Sequence, residues 1–261
     1  AAMDDGFDNY FIQTASSWGQ LWTSSQWKEF RQWYADNAHL GVTQSDPLPQ
    51  NVIRWAENSW KKYFIKYMVL ERKYFVFPRV GLTTALGDIG THSKYEISSV
   101  RVPLALKRKQ YRFCPLSSST CIYDSYFELE ARCAKAYTHD LDQYDFEFDL
   151  YGNKQLEKVK TPYLLSIRSC SNPVLSYSMI QVPFELNIIF VLAGDSFQLG
   201  KTADFVETSR KNRLAQLKVL HKDLGWRRYA SLAVSGFLER LDSKINLPVK
   251  RKLSKGEHTH R

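Results

Sequence analysis

Between residues 24 and 38 the apolar positions recur at helical spacing. In "SSQWKEFRQWYADN", Trp27, Phe30, Trp33 and Tyr34 fall on one face, and Thr23 with Gln26 stands where a capping box would open the helix. The next stretch, "GVTQSDPLPQN", is a loop, because Pro47 and Pro49 bar helix continuation. A second helix is expected from about Asn58, "NSWKKYFIKYMVLERK", with Trp60, Phe64, Tyr67 and Met68 on a stripe. "KYFVFPRV" then reads as a strand ending near Pro78, and "GLTTALGDIGTHSKY" as a glycine-bearing loop. Alternation of this kind suits a layered α/β or α+β domain.

The middle of the chain changes period. "YRFCPL", "TCIYDSYFELE", "YDFEFDLYG", "YLLSIRSC" and "MIQVPFELNIIFVL" read as strands, rich in Tyr, Phe, Ile and Val and bounded by turn formers. The run "LNIIFVLAG" has the length of a buried strand. In "YDFEFDLYG" the alternation places Asp145, Glu147 and Asp149 on one face and Phe146, Phe148 and Leu150 on the other. Without a glycine turn to gather the carboxylates into a calcium loop, the acidic row reads as a solvated face. From residue 207 the helical period returns, with Trp226, Tyr229, Ala230, Ala233, Val234, Phe237, Leu238 and Leu241 on one stripe, before a basic end expected to be disordered. Three segments are therefore expected: 1–113, a strand-rich extension over 114–206, and basic helices with a tail over 207–261.

Composition narrows the class. At 261 residues, 44% hydrophobic and 14% aromatic, the chain can bury a sizeable core. No apolar run approaches the roughly 18 residues of a membrane span, and the acidic start "AAMDDGFDNYF" does not read as a signal peptide. The first residue is not methionine, so a truncated piece of a longer protein is expected. Cys114, Cys121, Cys133 and Cys170 show no C-x-x-C spacing, which points to free thiols and a reducing, cytoplasmic setting. Charge is segregated: residues 207–261 hold 14 Lys and Arg against 5 Asp and Glu, which is the whole of the net +9. That tail either lies on an anionic membrane surface or packs its apolar stripe on the domain with its cations solvated. No helix-turn-helix, zinc module or RNP pattern accompanies it, so nucleic acid is not an expected partner.

Candidate chemistry gathers in the first hundred residues. Trp18, Trp22, Trp27 and Trp33 fall within sixteen positions, although the chain has only seven tryptophans. They suit a stacking platform for a sugar or base, or alternatively ordinary helix packing. "LGDIGTH" brings Asp88, Gly90, Thr91 and His92 into a polar turn, and Lys61, Lys62 and Lys66 follow one another along the second helix.

Taken in order, "SSWGQLWTSSQW", "NSWKKYF", "FVFPRVGLTT" and "GDIGTH" resemble the S-W-G-W-x-T-W, N-S-W, Y-P-R-x-S-L and G-x-x-G-x-H blocks of bacterial family 2 inverting glycosyltransferases. The resemblance covers about residues 8–95 and implies the acceptor-side, C-terminal part of a GT-A fold. It implies that Trp18, Gly19, Trp22 and Trp60 bind the acceptor, with Trp18 and Trp22 lining a cleft into which His92 opens. The loop Asp88, Gly90, Thr91 and His92 would meet the donor diphosphate, with His92 a ligand to Mg²⁺ or Mn²⁺. The implied partners are a nucleotide-sugar donor and a glycan or lipid-linked glycan acceptor of cell-surface polysaccharide assembly, at the cytoplasm or the inner membrane face.

The chain also departs from the pattern. The family's βαβ region with its D-x-D motif has no counterpart upstream of "SSWG", since "DDGFDN" follows no strand. An inverting transfer needs a carboxylate base; Glu57, just before the N-S-W helix, is the first candidate and Glu29 the second. The alternative is a non-catalytic carbohydrate- or membrane-surface-binding protein.

Overall fold

A computed structural model describes residues 2–17, 19–84, 102 and 104–206. They are mixed helix and sheet, with five α-helices, short 3₁₀ turns and two small sheets. The tail from residue 207 and most of the loop beyond Thr84 lie outside the described residues. No helix among the described residues is long and apolar enough to cross a membrane.

The first sheet is built around β1 (Asn9–Ile12), which pairs antiparallel with β2 (Phe75–Pro78) and parallel with β3 (Ile122–Tyr123). The chain between β1 and β2 supplies α1 (Ser24–Asn37), α2 (Gln50–Ile53) and α3 (Trp60–Leu70). The capping box opens α1: the Gln26 N–H donates to the Thr23 hydroxyl, and the Gln26 side chain accepts from the Thr23 N–H. Of the expected α1 stripe, Phe30 is buried, whereas Trp27 and Tyr34 are exposed. Helix α3 is more enclosed than an amphipathic stripe implies, with every residue from Lys62 to Met68 buried. Burial of Lys62 and Lys66 is offset by acceptors: Lys62 donates to Glu57 and to the Trp55 carbonyl, Lys66 to Asp46 and to the Gly41 carbonyl.

The second sheet has the order β4 (Phe146–Asp149), β5 (Tyr163–Ser166), β7 (Phe197–Lys201), β6 (Leu175–Tyr177), with β4 and β5 parallel and the other pairs antiparallel. Helix α4 (Ala131–Lys135) precedes it, and α5 (Glu185–Ile189) sits between its last two strands in sequence. One apolar core joins Phe11 and Ile12 of β1 to Phe148, Leu165 and Leu199 of the second sheet. Residues 1–113 and 114–206 thus share both a core and a sheet, and Ala1–Glu207 forms one compact unit. A second core, including Phe30, Leu48, Phe64 and Met68, lies among the three helices. All four cysteines are free, three of them buried and Cys170 half-buried.

Three expectations are corrected. "YRFCPL" forms no strand. The stretch expected as a strand around residues 179–192 carries the short helix α5 instead. There the Asn187 side chain takes the backbone groups a sheet neighbour would have taken: its carbonyl accepts from the Ile180 and Gln181 N–H groups, and its amide donates to the Gln181 and Phe184 carbonyls. The acidic row is a solvated face only in part: Asp145 is exposed and Glu147 half-buried. Asp149 is fully buried, where Arg168 Nε (2.8 Å), the Ser166 hydroxyl (3.1 Å) and the Lys154 N–H (2.9 Å) all donate to it. At Asp149 the sheet is covered, so this carboxylate is satisfied by internal partners.

Candidate functional site

Of the aromatic segment, Trp22 packs inward. The Trp22 ring lies 4.5 Å from Phe64 and 5.7 Å from Phe30, with Phe75 and Trp27 edge-on to it. Gly19 has φ +64, and a Cβ there would stand 2.9 Å from Thr83 Cγ2, so this turn both needs the left-handed conformation and admits no side chain. Trp60 is exposed at the start of α3, its ring 6.2 Å from Phe64. Three sequence blocks that lie far apart, around residues 16–22, 58–64 and 75–84, therefore meet in one cluster. Glu57 is exposed and bonds Lys62 at 2.9 Å. Glu29 accepts from Lys73 at 2.7 Å and from the Tyr67 hydroxyl, and the lysine holds its carboxyl below the ordinary range. Trp18, Asp88, Gly90, Thr91 and His92 lie outside the described residues. Among the described residues no group of three or more His, Cys, Asp or Glu side chains is placed to hold a metal ion.

Two cavities meet at Tyr126, and neither is lined by Trp22, Trp60, Glu57 or Glu29. The larger, about 570 Å³, opens beside the first sheet. Strand alternation sends Tyr10, Ile12 and, just past the strand, Thr14 to it. Phe77, the cross-strand partner of Tyr10, stacks on it at 5.7 Å, and Tyr123 meets Tyr10 edge-on. Tyr151, Asn153 and Glu185 complete the far wall.

The turn from Asp124 to Glu128 carries Tyr126 and Phe127 to the same cavity. Its conformation is fixed by Asp124, whose Oδ1 accepts the N–H groups of Tyr126 (2.8 Å) and Glu128 (3.0 Å). Phe127 is held at φ +66 with its ring exposed. Glu185 is 3% exposed; Tyr123 Oη donates to it at 2.7 Å and accepts the Met3 N–H at 2.8 Å. Burial pushes the Glu185 carboxyl above its ordinary value against the opposing Tyr123 bond, and pushes the Tyr126 and Tyr151 phenols up to about 12.

The smaller cavity, about 340 Å³, is lined by Lys154, Lys158 and Lys160 with Asp124, Glu147 and Gln13 among others. Its cations are largely committed. Lys154 is buried between Asp124 (2.8 Å) and Glu147 (2.7 Å), and Lys158 donates to the Asp46 carbonyl. Gln155 Oε1 is buried there without a partner.

Behind both cavities Glu128 is nearly fully buried and accepts the Tyr151 N–H at 2.9 Å. Burial, reinforced by the nearby Asp124 carboxylate, raises its pKa well above the ordinary 4.5. A carboxyl whose pKa is raised on folding contributes stability that is complete below the unfolded value and lost as pH rises from there to the folded value. Glu128→Gln removes that loss. The variant is expected to gain on wild type as pH rises from 4 to 8. Urea midpoints at the two pH values check this, and an equal difference at both would rule out the carboxyl as the source.

The sequence signals for these cavities were present in "DSYF" and "DLYGN", but as isolated aromatics at turns they carried no periodicity that would set them apart. The chain matches no known protein family, no curated protein and no solved structure.

Proposed function

We propose that the chain carries the acceptor-side part of an inverting, GT-A-type family 2 glycosyltransferase. In this reading it helps move a sugar from a nucleotide-sugar to a glycan acceptor in cell-surface polysaccharide assembly. The observation that supports this reading is the packing of three of the four resemblance blocks: Trp22 on Phe64 and Phe75, and Gly19 against Thr83. Blocks that share a function need to share a place, and these come together from positions spread over nearly seventy residues.

The reaction displaces a nucleotide diphosphate. An acceptor hydroxyl oxygen attacks the anomeric carbon, the diphosphate leaves with the bonding pair, and the hydroxyl proton passes to a carboxylate. Glu57 is the candidate for that proton. It is solvent-facing, one turn from Trp60, and is oriented by an ammonium that is itself immobilised in the core. Glu29, held by Lys73 and by the Tyr67 hydroxyl on α1, is the second candidate. A metal bound at His92 would supply charge neutralisation at the departing diphosphate. A second reading, a non-catalytic carbohydrate-binding protein, is favoured by the tyrosine-lined cavity.

The test is tryptophan fluorescence of the full-length gene product with UDP-, GDP- and dTDP-sugars, with and without Mn²⁺. Metal-dependent binding is expected, weakened at least tenfold by His92→Ala. A folded protein that responds to no nucleotide overturns the glycosyltransferase reading in favour of the binder.

A further inference from the structure

We infer that the larger cavity is a binding site for a neutral pyranose ring of a glycan, with Tyr126 and Tyr151 as its principal contacts. The inference goes beyond the glycosyltransferase reading and does not depend on it, since a binding protein would use the same cavity.

Charge is the first argument. Among the described residues no Lys, Arg or His lines the cavity, and the one carboxyl that does, Glu185, is already bonded by Tyr123. The Lys154 ammonium lies 5.6 Å from the Tyr126 ring centre and is already paired with Asp124 and Glu147, so a phosphate or carboxylate ligand would find no uncommitted counter-charge to offset its desolvation. The site therefore selects against the nucleotide diphosphate and for an uncharged molecule.

Polarity then separates a sugar from an alkyl chain. The hydroxyls of Tyr10, Tyr126 and Tyr151 make no hydrogen bond among the described residues, although each phenol is partly buried. An alkyl ligand would leave these groups unmatched. A pyranose presents C–H faces that cover aromatic rings and equatorial hydroxyls that bond their edges, so it uses both halves of a tyrosine. Asn153 and Thr14 add amide and hydroxyl partners at the rim. The volume, about 570 Å³, lies within the range of about 300–1,000 Å³ for small-molecule sites.

Preorganisation is the third argument. The Asp124 side chain fixes the turn that bears Tyr126, and the turn holds Phe127 in a backbone conformation unfavourable for an aromatic residue while leaving its ring in solvent. Strain kept at an exposed aromatic beside a cavity fits a contact surface set in advance of its ligand.

Saturation-transfer difference NMR of the full chain, without metal, tests the proposal with methyl glycosides of glucose, galactose, mannose, rhamnose and N-acetylglucosamine. Octanoate and inorganic phosphate serve as comparison probes. At least one glycoside should receive saturation at its ring C–H protons, and phosphate should not bind. Tyr151→Ala, at a half-exposed position, should weaken that glycoside about tenfold. Tyr126→Phe, which deletes only a hydroxyl, should weaken it about threefold to tenfold while leaving the melting temperature within a few degrees of wild type. The proposal fails if the folded protein binds no glycoside, if octanoate binds and no glycoside does, or if the Tyr126→Phe affinity equals that of wild type. Because nucleotide and metal are left out, each of these failures leaves the glycosyltransferase test standing.

Discussion

Replacing Arg168 with methionine is expected to lower the unfolding free energy by about 3–5 kcal/mol. The guanidinium bonds Asp149 through Nε at 2.8 Å and the Gly152 carbonyl through Nη2 at 2.9 Å, and the Arg168 and Asp149 side chains are 4% and 0% exposed. With the guanidinium removed, the Asp149 carboxylate keeps only the Ser166 hydroxyl and the Lys154 N–H, in a place water does not reach. The penalty belongs to the orphaned charge more than to the bond itself. The double replacement Asp149→Leu, Arg168→Met should therefore recover much of the loss. Urea denaturation of the two variants decides it: a double variant as unstable as the single one would show that the arginine acts through packing instead.

A loss of similar size is expected from Phe148→Ala. Phe148 is fully buried at the point where the two sheets share their core, edge-on to Phe146 at 5.2 Å. Truncation removes the ring's transfer free energy and leaves a cavity, together about 3–5 kcal/mol. Against a total stability of about 5–15 kcal/mol for a domain, either variant brings the protein close to unfolding at physiological temperature. A shifted denaturation midpoint with an unchanged slope would support the cavity account. A changed slope would show that the denatured ensemble had been altered as well.

Local chemistry was legible in the sequence. Thr23 and Gln26 announce a capping box because both partners lie three residues apart and need nothing from the rest of the chain. The strands at Phe75–Pro78, Phe146–Asp149 and Tyr163–Ser166 were likewise visible from β-branched and aromatic runs ending in turn formers. What depended on distant partners was not. Asp149 looked like a surface acid until Arg168 and Ser166 supplied its donors. The run around Ile188 has strand composition, yet the Asn187 side chain bonds the backbone of Ile180, Gln181 and Phe184 before it, and a helical turn forms.

The tyrosine cavity was illegible for the same reason. Tyr10, Tyr126 and Tyr151 belong to three segments that sequence spacing does not relate. The tryptophan cluster was conspicuous, and the structure shows Trp22 used in packing among Phe30, Phe64 and Phe75.

The placement of β1 bears on how the protein comes to fold during synthesis. In chain order the middle strand of the first sheet comes before both of its neighbours, β2 on one edge and β3 on the other. Its parallel neighbour is made more than a hundred residues later, a delay of roughly 5–20 s at ordinary elongation rates. Over that interval Phe11 and Ile12 have a backbone edge to offer and no β3 to receive it. A nascent chain with this topology is exposed to edge pairing with its neighbours on a polysome, and recombinant yield should respond to slowed initiation or lowered temperature more than to any gain in native stability.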